Sequence, residues 1–413
     1  MRALNRCSLK EGTWRRGAAD WCVALVRNPV TCLSFLILLG ALLFFLCCLF
    51  VGSTAFLEVF HLGTADLFGD FFHSLYDAAR GEAAYTEQGV IYPPLANLIC
   101  LLLARFLPES YLAGGDPLAW RASHAAMLLL LFFTVFSYLC LAFLLQRILR
   151  TSRGGGLLAF ALSLSFPMLF LAERGNLLLL ALPFLLVFTW WHDAEAPVAR
   201  ECALLCLAVA AALKLYPALF GLVLLAKKRY RAACRAALYA ALLFLLPSFA
   251  FGGPALLWQM AVNAFRFSSG GQNAAHFMAF FGFSRQTGTL VLCLLYGTAL
   301  AVTVLASFLP RPSWQHFLLT GAVLLTFSSI FSAYNWLLLL PALLAFVRTE
   351  PLRGINWVYF LLMSLPFFLF VPKAWQDNGL IVLLALLITL SLGQALCLAC
   401  RGVARRIPTN TEE

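Results

Sequence analysis

Charged residues are scarce in this chain. Only 11% of its 413 residues are Asp, Glu, Lys or Arg, whereas soluble domains carry about 25%. Hydrophobic residues make up 62% of the sequence, and the mean hydropathy is +0.89. Because no soluble fold of this size could bury so much apolar sequence, the composition predicts an all-α polytopic membrane protein.

Several sequence motifs are also absent. The chain has no Walker loop, no GxGxxG in a strand context and no HExxH, so an ATP-driven pump and a zinc protease are not indicated. The 13 cysteines lie mostly in apolar or cytoplasmic segments, which excludes an outer disulfide framework. No cleavage site follows the first apolar run, so we expect no removable signal peptide.

Hydrophobic runs predict about twelve membrane spans. They cover residues 30–52, 122–146, 154–172, 177–191, 201–213, 216–226, 236–252, 286–308, 317–334, 335–347, 354–371 and 379–400. Several are shorter than the ~20 residues that cross a bilayer comfortably. The runs that meet near Lys214 and Asn335 are therefore predicted to be helices broken at the outer face.

The distribution of basic residues orients these spans. The apolar stretch 95–107 could be a span or a surface helix. If it crossed, the basic cluster at Arg147, Arg150 and Arg153 would lie outside, against the positive-inside rule. With a surface helix at 95–107, most of the 29 Lys and Arg residues lie inside. The net charge of +11 therefore reflects basic residues on the cytoplasmic side and does not indicate nucleic-acid binding.

This orientation divides the chain into three regions. We expect a cytoplasmic segment 1–29, a transmembrane domain 30–400 and a cytoplasmic tail 401–413. The two long outer loops are then 53–121 and 253–285. Polar groups are concentrated on the outer side, where we expect the active site.

Residues 66–94 form a long polar interruption in the first outer loop. Read as a helix, the stretch places Asp66, Asp70, His73 and Asp77 on one face. Its phenylalanines and Leu75 fall on the opposite face. Such a helix would lie on the membrane surface with its acids facing water. A row of acids held there suggests chemistry, although a solvated helix face is the simpler interpretation of any single acid.

Two cations interrupt apolar runs at Arg174 and Lys214. A charge in hydrocarbon costs several kcal/mol unless it is paired or reaches water. Arg174 could pair with Glu173, and both cations could extend to the interface. Lys214, however, precedes Tyr216-Pro217 at a helix break, and cations at broken helix ends are suited to holding phosphate.

Together these motifs resemble the integral-membrane C-type (GT-C) glycosyltransferases, and most closely the bacterial polyprenyl-phosphate-mannose-dependent α-mannosyltransferases. The matching motifs are Asp70-Phe71, Tyr76-Asp77-Ala78-Ala79-Arg80-Gly81 with Tyr85, Tyr92-Pro93-Pro94-Leu95, Glu173-Arg174-Gly175-Asn176 and Lys214-Leu215-Tyr216-Pro217. Their order and spacing agree across roughly residues 30–350. The later outer turn departs from the family, since residues 328–336 read SSIFSAYNW and lack its histidines.

The resemblance implies a GT-C-like helix bundle with amphipathic surface helices and an active site on the outer face. Asp70 would be the general base, with Asp66 and Asp77 as the alternatives. The predicted substrate-binding residues at the helix breaks and motifs are Tyr92, Arg174, Asn176, Lys214, Tyr216 and Asn335. The Gly-, Asn- and Gln-rich outer loop 253–285 is expected to close over the donor, with Arg266, His276 and Arg285 as further phosphate or sugar contacts.

The resemblance also implies the substrates. The donor would be a polyprenyl-phosphate-linked sugar, with mannose favoured, and the acceptor a glycolipid or glycan of the cell envelope. The enzyme would be a multi-pass protein of the cell membrane that needs no cofactor. A divalent metal, with His73, Asp66 or His276 as ligands, is a weaker alternative. The competing function is a transporter or flippase, but the span interiors carry little of the charge that lines a substrate pathway.

Overall fold

The computed structural model describes residues 28–60, 67–110, 115–150, 154–269, 311–326 and 332–373. It also describes position 152 and isolated positions within 282–301 and 387–394. Within these ranges the regular structure is entirely helical. The protein is therefore an all-α polytopic membrane protein, as its composition predicts.

The α-helices of these ranges are numbered in chain order. They are α1 (Pro29–Val51), α2 (Ser53–Val59), α3 (Gly69–Ala79), α4 (Ala83–Thr86), α5 (Pro94–Ala104), α6 (His124–Leu149), α7 (Gly155–Ser163), α8 (Phe166–Arg174), α9 (Leu178–Trp191), α10 (Pro197–Leu213), α11 (Leu222–Ala226), α12 (Tyr230–Ser248), α13 (Ala255–Ser269), α14 (Ser313–Thr326), α15 (Leu340–Thr349) and α16 (Ile355–Phe368). Short 3₁₀ helices cover Pro117–Ala122, Tyr216–Gly221, Phe249–Phe251 and Ala333–Leu339.

Among the residues that the structure describes, three helices are long and apolar enough to cross a membrane. They are α1, α6 and the segment Tyr230–Phe251, which continues α12. The pair α7 and α8 makes a fourth candidate, bent by 47°. The predicted runs 286–308 and 379–400 lie almost wholly outside the described residues, so the number of twelve spans stays a prediction.

Local sequence explains where these helices begin and end. Asn28 caps α1, since its side-chain oxygen accepts from the N–H of Val30 at 3.0 Å and Pro29 occupies the first turn. Helix α10 stops at Leu213, and Lys214 is extended (φ −151°, ψ 121°) before the proline-containing 3₁₀ helix. The helix break predicted at Lys214 is confirmed.

The described part of the acidic stretch, residues 67–94, contains helix α3 and the short helix α4. Helix α3 is amphipathic and buries Phe71, Phe72 and Leu75, as the periodicity predicts. It packs against α5, which begins at Pro94 and also contacts α10 and α12. Helix α5 is short, with 11 residues, and its position along the outer surface stays a prediction.

The close approach of α1 and α16 depends on Gly40. A Cβ atom at this position would lie 2.0 Å from the carbonyl oxygen of Phe368 in α16. A contact this short requires the backbones to separate, because the obstructing atom belongs to the main chain. The absence of a side chain at Gly40 therefore sets how closely these two helices pack.

We predict that Gly40→Ala lowers the stability of the detergent-solubilised protein by about 1–3 kcal/mol, the usual cost of overpacking. Thermal unfolding of the purified variant measures the change. Gly156→Ala in α7 is the matched control, since a Cβ there meets nothing within 4 Å. Equal melting temperatures for the two variants would contradict the tight contact between α1 and α16.

Candidate active site

Asp70 lies at the centre of a buried polar network. Its Oδ1 atom forms an ion pair with the guanidinium of Arg174. Its Oδ2 atom accepts a hydrogen bond from Asn176 Nδ2 at 2.6 Å. The side chains of Asp70 and Arg174 are 17% and 13% exposed. The prediction that this acid faces water is therefore wrong, because the cation and the amide stabilise the carboxylate away from solvent.

The junction of α3 and α8 brings this ion pair together. Gly175 ends α8 in the left-handed conformation (φ 61°), and a Cβ there would lie 2.8 Å from Phe71 Cβ. The N–H of Phe68, at the start of α3, donates to the carbonyl of Glu173 at 3.1 Å. A backbone hydrogen bond thus joins the end of α8 to the start of α3. Asp70 lies in the first turn of α3.

Asn176 connects the carboxylate to the second predicted cation. Its Oδ1 atom accepts from Lys214 Nζ at 2.6 Å and from the N–H of Leu178, at the start of α9, at 2.9 Å. Asn176 is 1% exposed and Lys214 9%. Asp70 and Lys214 are therefore held on opposite ends of one buried amide.

Three tyrosine rings surround the Lys214 ammonium. The distances from Nζ to the ring centroids are 5.9 Å for Tyr92, 5.4 Å for Tyr216 and 5.0 Å for Tyr334. All three distances are within the range of cation–π attraction, which helps to compensate for the loss of water. The hydroxyl of Tyr216 also donates to Asn335 Oδ1 at 3.3 Å.

The structure brings together most of the residues predicted to bind substrate. The network contains Asp70, Tyr92, Arg174, Asn176, Lys214, Tyr216 and Asn335. Asp66, His276 and Arg285 lie outside the described residues. Arg266 is described, exposed near the end of α13, and its role stays a prediction.

Tyr334 belongs to this network, but the sequence did not single it out as a site residue. Its hydroxyl accepts from Asn176 Nδ2 at 3.1 Å, and its ring is the nearest of the three to Lys214. The available signal was its position next to Asn335, at the start of a short 3₁₀ helix. An aromatic residue at such a break is common in membrane proteins, so sequence alone could not distinguish it.

Asp77 lies on the same helix as Asp70 but has different neighbours. It is half-buried in α3 and interacts electrostatically with His73 and Arg80. Burial raises its pKa to about 6, against the lowering effect of these two side chains. The contacts of Asp70 with Arg174 and Asn176 favour Asp70 as the base, although the pKa of Asp77 would suit proton uptake near neutral pH.

No cluster of three or more His, Cys, Asp or Glu side chains suited to a metal ion occurs in the part of the chain that the structure describes. Two of the three candidate ligands, Asp66 and His276, lie outside that part. The charges described in the network are one carboxylate and two cations, a net charge of one positive unit. Such a site is suited to binding an anion.

Comparison with known proteins places the chain in a family. A family model described as glycosyltransferase family 87 matches residues 90–329, more than half of the 413-residue chain. The matched region contains Tyr92, Arg174, Asn176, Lys214 and Tyr216. No curated protein and no solved structure matches the chain.

The raised pKa of Asp77 predicts a pH-dependent stability. Between its ordinary pKa of 3.8 and about 6, the folded protein holds a proton that the unfolded chain has lost. Stability therefore falls as pH rises through this window, and the loss persists above it. Asp77→Asn should raise the melting temperature at pH 7.5 by about 2–4 °C, with little gain at pH 4. If the difference in melting temperature between variant and wild type is the same at every pH from 4 to 7.5, the buried environment of Asp77 is contradicted.

Proposed function

The chain belongs to glycosyltransferase family 87, and we propose that it transfers a hexose, with mannose favoured, from a polyprenyl-phosphate donor. The acceptor is an envelope glycolipid or glycan on the outer face of the cell membrane, and both chain termini are cytoplasmic. The observation that carries this proposal is the buried network of Asp70, Arg174 and Lys214 joined through Asn176.

The charge of the network matches the proposed reaction at each stage. A polyprenyl-phosphate sugar is a phosphodiester with one negative charge, which neutralises the single positive charge of the site. When the sugar leaves, the phosphate becomes a monoester with a charge near −2. If Asp70 has then taken the acceptor's proton, the two cations balance that charge. The site therefore stays close to neutral throughout, which a buried location requires.

The bond changes assign a role to each group. The acceptor hydroxyl attacks the anomeric carbon, the bond from that carbon to the phosphate oxygen breaks, and polyprenyl phosphate leaves. Asp70 accepts the hydroxyl proton as general base. Lys214 and Arg174 stabilise the charge that develops on the departing phosphate.

The arrangement around Asn176 supports this division of roles. In-line displacement requires the attacking hydroxyl and the leaving phosphate on opposite sides of the anomeric carbon. Asp70 and Lys214 bind opposite ends of the same amide, so the base and one phosphate-binding cation are already separated. Arg174 can serve both groups, since a guanidinium has five donors in a fixed fork.

The remaining polar groups of the site are suited to the sugar. The rings of Tyr92, Tyr216 and Tyr334 surround Lys214, and the Tyr216 hydroxyl donates to the side-chain amide of Asn335. We assign them to the sugar hydroxyls nearest the phosphate. The outer loop 253–285, with Arg266, His276 and Arg285, supplies further phosphate or sugar contacts by closing over the donor.

The product decides between this function and its alternative. Purified protein in lipid vesicles is incubated with a panel of polyprenyl-phosphate sugars and an envelope lipid extract, and the lipids are analysed by mass spectrometry. The transferase releases polyprenyl phosphate and forms a new glycoside. A transporter or flippase would move its substrate without changing it. If no donor yields either product, the proposal is wrong.

Asp70→Asn should lower turnover by ~100-fold or more, since the amide cannot take up the acceptor's proton. The donor Kd should not rise, because the variant removes an anion that competes with the phosphate for Arg174. Initial rates and direct donor binding measure these two effects separately. Glu87→Gln, an exposed acid of the same outer loop, is the control and should retain normal rates. A loss of activity caused mainly by weaker donor binding would contradict the assignment of Asp70 as base.

Lys214→Gln should raise the donor KM by about 10- to 100-fold, the range expected when a buried hydrogen bond to a charged group is lost. The acceptor KM should change little. Lys228→Gln serves as the matched control, because Lys228 is an exposed lysine in the turn that follows α11. An unchanged donor KM in Lys214→Gln would exclude Lys214 from phosphate binding.

A further inference from the structure

Tyr92 lies at the end of a turn that a distant helix holds in place. Asn263, in α13, directs its Nδ2 atom at two backbone carbonyls of this turn. The distances are 2.8 Å to the oxygen of Tyr85 and 3.2 Å to that of Val90. One amide of the second outer loop thus ties together both ends of the segment that leads into Tyr92.

A second pair of side chains fixes the backbone of Tyr92 itself. The hydroxyl of Tyr85 donates to the carbonyl oxygen of Tyr92 at 3.0 Å. The same hydroxyl accepts a hydrogen bond from Asn97 Nδ2, in α5, at 2.7 Å. The orientation of Asn97 follows from this geometry, since the Tyr85 proton is already directed at Tyr92.

These side chains are polar groups in an apolar environment. Tyr85 and Asn97 are fully buried and Asn263 is 5% exposed. Tyr85 belongs to a small apolar core separate from the main one, with Ala84, Val90, Phe251, Leu256 and Met260. Asn97 and Asn263 both form hydrogen bonds with Tyr85. The Oδ1 atom of Asn97 is buried and accepts no hydrogen bond from any group that the structure describes. A buried polar atom left unbonded costs free energy that an apolar residue would not, so packing alone does not explain an asparagine there.

The position of Tyr92 matters because of what it contacts. Its ring lies 5.9 Å from Lys214 Nζ, and its hydroxyl is 3.4 Å from Asn176 Nδ2. A shift of its backbone would move the ring away from the ammonium and open that side of the site to water. The cation would then be better solvated and less available to a phosphate.

We propose that Tyr85, Asn97 and Asn263 are positioning residues for donor binding: they hold Tyr92 against Lys214 and so couple α13 to the phosphate-binding end of the site. This inference rests on the proposed function. None of the three side chains touches the substrate; each acts through the backbone that carries Tyr92.

Tyr85→Phe tests the proposal with the smallest change. It removes one hydroxyl and keeps the ring, which packs edge-on against Phe251 with centroids 5.9 Å apart. We expect the donor KM, and the Kd for polyprenyl phosphate alone, to rise about tenfold, the scale of one lost buried hydrogen bond. The acceptor KM and kcat should change by less than about threefold. Asn97→Leu and Asn263→Leu should shift the same two constants.

The control and a double-mutant cycle separate positioning from a general loss of structure. Thr86→Ala removes an exposed hydroxyl next to Tyr85, which donates to the carbonyl oxygen of Glu82 at 3.2 Å, and should leave the donor KM unchanged. If Tyr85 acts through Tyr92, the effects of Tyr85→Phe and Tyr92→Leu should be strongly non-additive. Additive effects, or a Tyr85→Phe variant that binds donor as Thr86→Ala does, would overturn the proposal.

The same experiments distinguish this inference from the function on which it rests. If the wild-type protein forms glycoside and Tyr85→Phe binds donor normally, only the positioning role is wrong. If the wild type neither binds polyprenyl phosphate nor forms any glycoside, the proposed function itself is wrong. Lower melting temperatures with unchanged donor constants in all three variants would show a purely structural role and would also overturn the positioning proposal.

Discussion

The site depends on keeping two cations charged within an apolar helix bundle. Removing a charge from water is costly unless partners replace the lost hydration. Arg174 is stabilised by the Asp70 carboxylate, and Lys214 by the Asn176 oxygen and three tyrosine rings. Each partner comes from a different helix or break, so the site can form only when these elements are packed together. Substrate charge and fold stability are therefore linked through the same few contacts.

Breaks in the helices bring the required partners to the two cations. Irregular backbone at membrane depth is tolerated only where it is buried in protein or lines a cavity. Helix α8 ends at Gly175, α10 ends before Lys214, and a 3₁₀ helix carries Tyr334 and Asn335. All three breaks contribute side chains to one network. Helix α3 closes the network by bringing Asp70 against the end of α8.

Sequence reasoning recovered much of this arrangement because its physical signals are local. A cation in an apolar run, a proline after it and an amphipathic helix can each be read within about ten residues. Those signals singled out Asp70, Arg174 and Lys214, which the structure brings into one network. They failed for the orientation of Asp70, which the sequence placed in water, because its partner Arg174 lies 104 positions away along the chain. Tyr334 and the contacts of Asn263 were not predicted for the same reason, since neither shows a local sequence pattern.

The sequence by itself determined the class of protein, the all-helical architecture and the chemical types of the site residues. These follow from composition and short-range periodicity, which do not depend on how the helices pack. Only the tertiary structure decided which acid meets the cations, which amide joins Asp70 to Lys214, and that α13 holds the turn before Tyr92. Each of these contacts joins segments that are distant along the chain and similar in local sequence. Packing, and the cost of leaving a buried polar group without a partner, decide which of these segments meet.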